Sequence, residues 1–137
     1  MSRSFDIKDL KSGAARMAAE AGVPLIPVIV FGTQRMMSYD HRDLSRGTAV
    51  SVAVGEPLHP EPGDDMDAVT AELATRMRDL LDSTVADYPQ LPQDPDERAA
   101  TWWIPERLGG GAPTLAEAKV QEEKAKAAKA AKRAGSN

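Results

Sequence analysis

Four segments of this chain carry a readable apolar pattern. From about Lys11 to Ala21, Ala14, Met17, Ala18 and Ala21 recur at helical spacing, with Arg16 and Glu20 on the other side. This predicts a helix opened by Ser12 and stopped by Gly22, its small-residue face packed close against a sheet. Pro24 to Phe31 is a continuous apolar run rich in β-branched residues, which predicts a strand buried on both faces, as in a parallel sheet. Pro27 inside it cannot donate a ladder hydrogen bond and marks an edge or a bulge. Thr48 to Val54 alternates, with Val50, Val52 and Val54 on one face of a second strand that ends at Gly55-Glu56-Pro57. From Met66 to about Tyr88, Met66, Val69, Leu73, Met77, Leu80, Leu81 and Val85 form one stripe of a long helix, with Asp64 or Asp65 as its cap. Helix, strand, strand, helix is an α/β order.

Beyond Tyr88 the pattern breaks. Pro89, Pro92 and Pro95 interrupt regular structure, Trp102-Trp103-Ile104-Pro105 follows, and Gly109-Gly110-Gly111 opens an Ala/Lys/Glu-rich stretch with little apolar face. Such a stretch is held by propensity alone, so everything after about Gly109 reads as flexible. The chain thus divides into residues 1–88, a Pro/Gly-rich extension over 89–113 with the Trp pair, and a basic, flexible or helical tail over 114–137.

Composition narrows the chemistry. With aromatic residues at 4% and much of the 42% hydrophobic share in alanine, the core is expected to be aliphatic and modest. No cysteine is present, which excludes disulfide scaffolds, Cys-ligated metals and Cys nucleophiles. The net charge of −4 divides into +3 from Thr114 to Asn137 and −7 in the rest. A basic tail on an acidic body fits either a solvated linker or contact with an anionic surface. Nucleic acid is not the expected partner, because the body is acidic and no aromatic residues interleave with the lysines.

Particular residues go further than the element order. Lys11-Ser12-Gly13-Ala14-Ala15, a helix length, and then Gly22-Val23-Pro24-Leu25-Ile26-Pro27-Val28 resemble the glycerolipid acyltransferase family, the 1-acyl-glycerol-3-phosphate (lysophosphatidate) acyltransferases. Members have a lysine-x-glycine opening a helix and then a Val-Pro-[Ile/Leu/Val]-[Ile/Val]-Pro-Val strand. Gly55-Glu56-Pro57 after the next strand fits too, and the resemblance covers roughly residues 2 to 86. The family's His-x-x-x-x-Asp motif and its Phe-Pro-Glu-Gly-Thr-Arg motif come before the lysine-x-glycine helix. Neither stands there in this sequence, so Met1 reads as an internal start and no catalytic residue is assigned.

The resemblance implies a partial glycerolipid acyltransferase fold, helices packed on a mixed sheet, represented by its C-terminal half. It implies transfer of a fatty acyl group from acyl-CoA or an acyl carrier protein to a lysophospholipid. The family histidine deprotonates the acceptor hydroxyl and the aspartate orients it. The acyl donor is a co-substrate and no other cofactor is expected. The place of action would be cytoplasmic, peripheral on the inner face of the cell membrane. By resemblance Lys11 lies near the acceptor phosphate and Gly13 permits close backbone approach. Arg35, just past the buried strand, is a second candidate phosphate contact, and Gln34 a weaker one. The alternative is a non-catalytic half-domain that docks lipid, acyl carrier protein or a full-length paralogue.

Three other clusters invite and resist assignment. His59-Pro60-Glu61-Pro62-Gly63-Asp64 has the His-x-x-x-x-Asp spacing but follows the double-proline strand, and reads as a surface loop leading to a helix capped by Asp64. Asp40, His41 and Asp43, and separately Glu61, Asp64 and Asp65, have metal-ligand side chains without a metal-loop spacing, so no metal is expected. Trp102 and Trp103 suit either a membrane interface or packing back onto the domain.

Overall fold

The computed structural model describes residues 3–39 and 41–134, the side chains of 132–134 excepted. Met1, Asp40 and the side chains of Lys132 and Arg133 therefore lie outside the described residues. The described chain is a small α/β domain with five α-helices and one two-stranded antiparallel sheet.

Helix α1 spans Gly13–Ala21 and ends as Gly22 predicts. Gly22 is left-handed (φ 62°), its N–H bonds Ala19 O, and Val23 N–H bonds Ala18 O, a Schellman motif. Its buried residues are Ala15, Ala18 and Ala19, whereas Met17 is 67% exposed. The face used is thus rotated from the one expected, and it packs on the long helix α3 (Met66–Ala86). Three alanines let the two backbones approach, while the one bulky apolar side chain points away.

Strand β1 (Val28–Phe31) pairs antiparallel with β2 (Ser51–Val54), in the register Val28↔Val54 and Val30↔Val52. This corrects the expectation of a parallel or mixed sheet with both faces covered. Ile29 and Phe31 point into the core, while Val28, Val30, Val52 and Val54 form an outer face, each 44–65% exposed. Leu25 bridges Leu58 beyond the ladder. Two residues separate Leu25 from Val28 and three separate Val54 from Leu58, so a one-residue bulge lies opposite Pro27, where the missing N–H interrupts pairing.

Helix α3 follows the predicted stripe: Leu73, Leu81 and Val85 are buried, with Met77 and Leu80 packed against the core. Its cap is Asp65, which accepts from Asp67 N (3.0 Å) and Ala68 N (3.3 Å), rather than Asp64.

The core joins Ile29, Phe31, Leu81, Val85, Tyr88, Trp103 and Ile104. Beside its aliphatic residues it holds an aromatic cluster: Phe31 and Tyr88 meet edge to face at 5.1 Å, and Trp103 lies 5.5 Å from Tyr88 and 5.9 Å from Phe31. The extension is therefore part of the domain. A short helical turn, α2 (Thr33–Met36), follows β1, and another, α4 (Pro95–Ala99), lies within the extension. Ile104 is fully buried, and the turn after it returns over it through Gly110 N–Pro105 O and Ala112 N–Ile104 O bonds.

The tail departs from the flexible reading. Residues 115–134 form helix α5 (Leu115–Ala134). Thr114 and Glu117 make a capping box, with Thr114 N to Glu117 Oε2 at 3.0 Å and Glu117 N to Thr114 Oγ1 at 3.2 Å. Ala118 is fully buried, and Lys8 Nζ pairs with Glu122 at 2.6 Å. Arg107 ties the N-terminal segment to α3, reaching Asp6 at 2.7 Å and Asp82 at 2.6 Å. Those two carboxylates raise its pKa well above the ordinary guanidinium value.

Candidate functional site

Lys11 is exposed beside Ser12, the residue that precedes α1, and Gly13 is the helix's first residue. The Ser12 hydroxyl does not cap the first turn. It lies 3.4 Å from Arg16 Nε instead, and the first turn carries no acidic residue. Among the described residues, neither Ser12 nor a first-turn acid caps the leading amides of α1, and a Cβ on Gly13 would meet nothing within 4 Å. A helix start of this kind offers N–H groups and a partial positive charge to an anion. A groove of about 410 Å³ runs beside it, bordered by Asp9, Leu10, Ser12, Asp67, Thr70 and Arg78. Arg78 could not be found from the sequence, because only the packing of α3 on α1 brings it to this groove.

Arg35 is used differently. It lies on α2, half-buried, and its Nη1 donates to Tyr88 Oη (3.1 Å) and to Gln90 Oε1. The guanidinium stacks 4.7 Å from the centroid of a Trp103 ring. Tyr88 Oη donates in turn to Ala49 O (2.7 Å), and Gln90 Nε2 to Gly47 O (2.7 Å). Gln34, buried beside it, accepts from Gly32 N (2.9 Å) and donates to Trp103 O (3.1 Å). Gln34 and Arg35 thus clamp the extension to the end of β1. The groove beside Ser12 borders the first half of α3 and Arg35 binds residues past its last turn, roughly 20 Å away at 1.5 Å per residue. One phosphate cannot bridge them, so Arg35 drops out as the partner of Lys11 and Gly13.

His59 and Asp64 are both exposed, and the Asp64 carboxylate accepts from Glu61 N (2.9 Å), closing the loop that leads to α3. His41 packs against Trp102, with 4.5 Å between centroids and the rings tilted by 49°. Asp43 is held below the usual carboxylate range by hydrogen bonds from Ser45, with the charges of His41 and Arg35 adding to the effect. Among the described residues, no three His, Cys, Asp or Glu side chains come together as metal ligands. Trp103 is core and Trp102 packs on Phe5 and His41, so both rings turn back onto the domain. No described helix is long and apolar enough to cross a membrane.

Comparison with known protein families, with characterised proteins and with solved structures gave no match.

Proposed function

We propose that this chain carries the acceptor-side scaffold of a lysophosphatidate-type acyltransferase domain. It would act in phospholipid synthesis, peripherally on the inner face of the cell membrane, with acyl-CoA or an acyl carrier protein as donor. The observation that carries this reading is the meeting of its two sequence motifs. Pro27 O accepts from Gly55 N at 2.9 Å, and a Cβ on Gly55 would stand 3.0 Å from the Pro27 ring. The double-proline segment and Gly55-Glu56-Pro57 are thus one packed unit, and the segment leads back through Gly22 and the length of α1 to its uncapped start. There the free amides, Lys11 and, across the groove, Arg78 would receive the acceptor's phosphate.

A second reading, a non-catalytic half-domain that binds lipid, acyl carrier protein or a paralogue, is favoured by one observation. Neither histidine hydrogen-bonds a carboxylate among the described residues: Asp64 serves its own loop and Asp43 serves Ser45. The purified chain should form no phosphatidate from lysophosphatidate and acyl-CoA.

Nuclear magnetic resonance separates binding from chemistry. Monomeric lysophosphatidate should shift the amides of Gly13, Ala14 and Ala15. Lys11→Ala should weaken binding about two- to fivefold, the worth of one exposed charge–phosphate contact. Equal shifts with uncharged monoacylglycerol, or none at α1, would remove the acyltransferase reading.

A further inference from the structure

Strand β2 has one edge paired and one edge open. Gly55 N donates to Pro27 O (2.9 Å), which makes Pro27 and Gly55 a hydrogen-bonded position of the antiparallel ladder. Such positions recur at every second residue, so Ile29↔Ala53 and Phe31↔Ser51 are bonded positions as well. The N–H and C=O groups of Val52 and Val54, and of Val50 just before the strand, therefore turn away from β1. Among the described residues, none of these groups has a hydrogen-bond partner. Helix α3 packs on β2, and beside the strand's end a groove of about 440 Å³ opens between Gly55 and Glu56 and the α3 residues Arg76, Asp79, Leu80 and Ser83.

This edge carries none of the features that keep strands apart. Thr48-Ala49-Val50-Ser51-Val52-Ala53-Val54 has no charge, no proline and no glycine. The edge of β1 is different: Phe5, Asp6 and Ile7 line a cleft of about 220 Å³ together with Ile29, Val30 and Phe31, so the N-terminal segment lies beside that strand. The open edge is also its own antiparallel complement. A two-fold axis through Val52 sets Val52 against the Val52 of a second copy and Val50 against Val54. Each such pair matches two N–H groups with two C=O groups. The valines of both copies then share one face as β-branched neighbours, and the small Ser51 and Ala53 meet on the other. A chain of net charge −4 repels its own copy, but this strand brings no charge to the contact.

We propose that β2 pairs with the β2 of a second copy, giving a dimer with a continuous four-stranded antiparallel sheet in the order β1-β2-β2-β1. Pairing over Val50–Val54 buries well under the ~800 Å² per partner of a stable dimer, so the dimer is reversible and forms at high concentration. It leaves the outer face of the valines open. It uses no residue of the α1 groove, so it stands or falls apart from the acyltransferase reading.

The test is sedimentation velocity of the full chain from micromolar to millimolar concentration. The weight-average mass should rise from 14.7 kDa toward twice that value and no further. Val52→Pro removes the central N–H of the open edge without breaking a bond to β1, a position where strands accept proline, and should move the association curve at least tenfold to higher concentration. Val52→Lys sets like charges directly opposite at the axis and should move it as far; it carries the test if circular dichroism shows that Val52→Pro has lost the fold. Val30→Lys, on the same face but on β1, should move it less than twofold. In an equal mixture of labelled and unlabelled chains, isotope-filtered spectra should show a contact from Ser51 Hα to Ala53 Hα of the other copy, a pair too far apart within one strand to give it. A mass fixed at 14.7 kDa through the millimolar range, growth past the dimer, Val30→Lys as disruptive as Val52→Lys, or no contact between Ser51 and Ala53 where the dimer is populated would each overturn the proposal.

Discussion

Glu122 carries one of the few side-chain links between α5 and the body of the domain. The Lys8 ammonium bonds both its carboxylate oxygens and holds its pKa below the ordinary value of 4.5. Because the folded value is depressed, the link contributes fully above the unfolded pKa and is lost as pH falls through the folded one. Carbon-detected titration should give Glu122 a midpoint below 4.5, and Lys8→Ala should return it toward 4.5. An unchanged midpoint in the variant would mean that the contact is not formed in solution. Gly110 makes a sharper demand at the same scale. A Cβ there would lie 2.2 Å from Ile104 O and 2.3 Å from Ile104 Cβ, both in the core. Neither can yield without moving the turn, so Gly110→Ala should cost about 1–3 kcal/mol, the usual cost of overpacking. Chemical denaturation reads this directly, and an unaltered midpoint would show that the turn over Ile104 is loose.

At the scale of elements, the capping box gives α5 its start. Thr114→Ala removes the hydroxyl that receives Glu117 N and should cost about 1 kcal/mol of helix stability. It should show as lost ellipticity and faster amide exchange in the first turn, with α3 unaffected. The Thr-x-x-Glu spacing was legible in the sequence, but the stretch after it has little apolar face and so read as flexible. Among the described residues, buried Ala118 and the Lys8–Glu122 pair help dock it, contacts that no periodicity records. Helix α3 was legible because a 21-residue stripe averages out exceptions. Helix α1 was legible as a helix but not in its orientation. Its alanines fit two faces equally, and Met17 drew the reading to the wrong one. An apolar run such as Val28–Phe31 shows that a strand forms there, not whether anything covers its second face. Trp103 and Ile104 sit in irregular, proline-flanked chain, where burial leaves no repeat. Gln34 and Arg35 had the position of ligand-binding residues, but their partners lie over fifty residues further along the chain. Of the candidate site, the lysine-x-glycine helix start was readable as a local motif. Arg78 was not, because it reaches the groove only where distant segments meet.

For the molecule as a whole, the valine face is the largest departure from an ordinary small domain. A chain of 14.7 kDa buries a modest share of its surface at best. Here one side of its only described sheet is spent on the core and the other presents four valines, with both strands also at a sheet edge. A two-stranded ribbon is marginal by itself, so what holds it is the inner face: Ile29 and Phe31 against Leu81, Val85 and Trp103. The two faces can therefore be changed independently. Threonine keeps the branched Cβ that suits a strand and replaces one exposed methyl with hydroxyl. Val30→Thr/Val52→Thr should thus leave the denaturation midpoint within about 0.5 kcal/mol of the parent, as surface changes usually do. It should also clearly lower anilinonaphthalene sulfonate fluorescence and concentration-dependent light scattering. Loss of stability comparable to a core deletion, about 2–5 kcal/mol, would show that these valines are covered in solution and that the sheet's outer face is not open. Unchanged dye binding with unchanged stability would instead place the exposed apolar surface elsewhere.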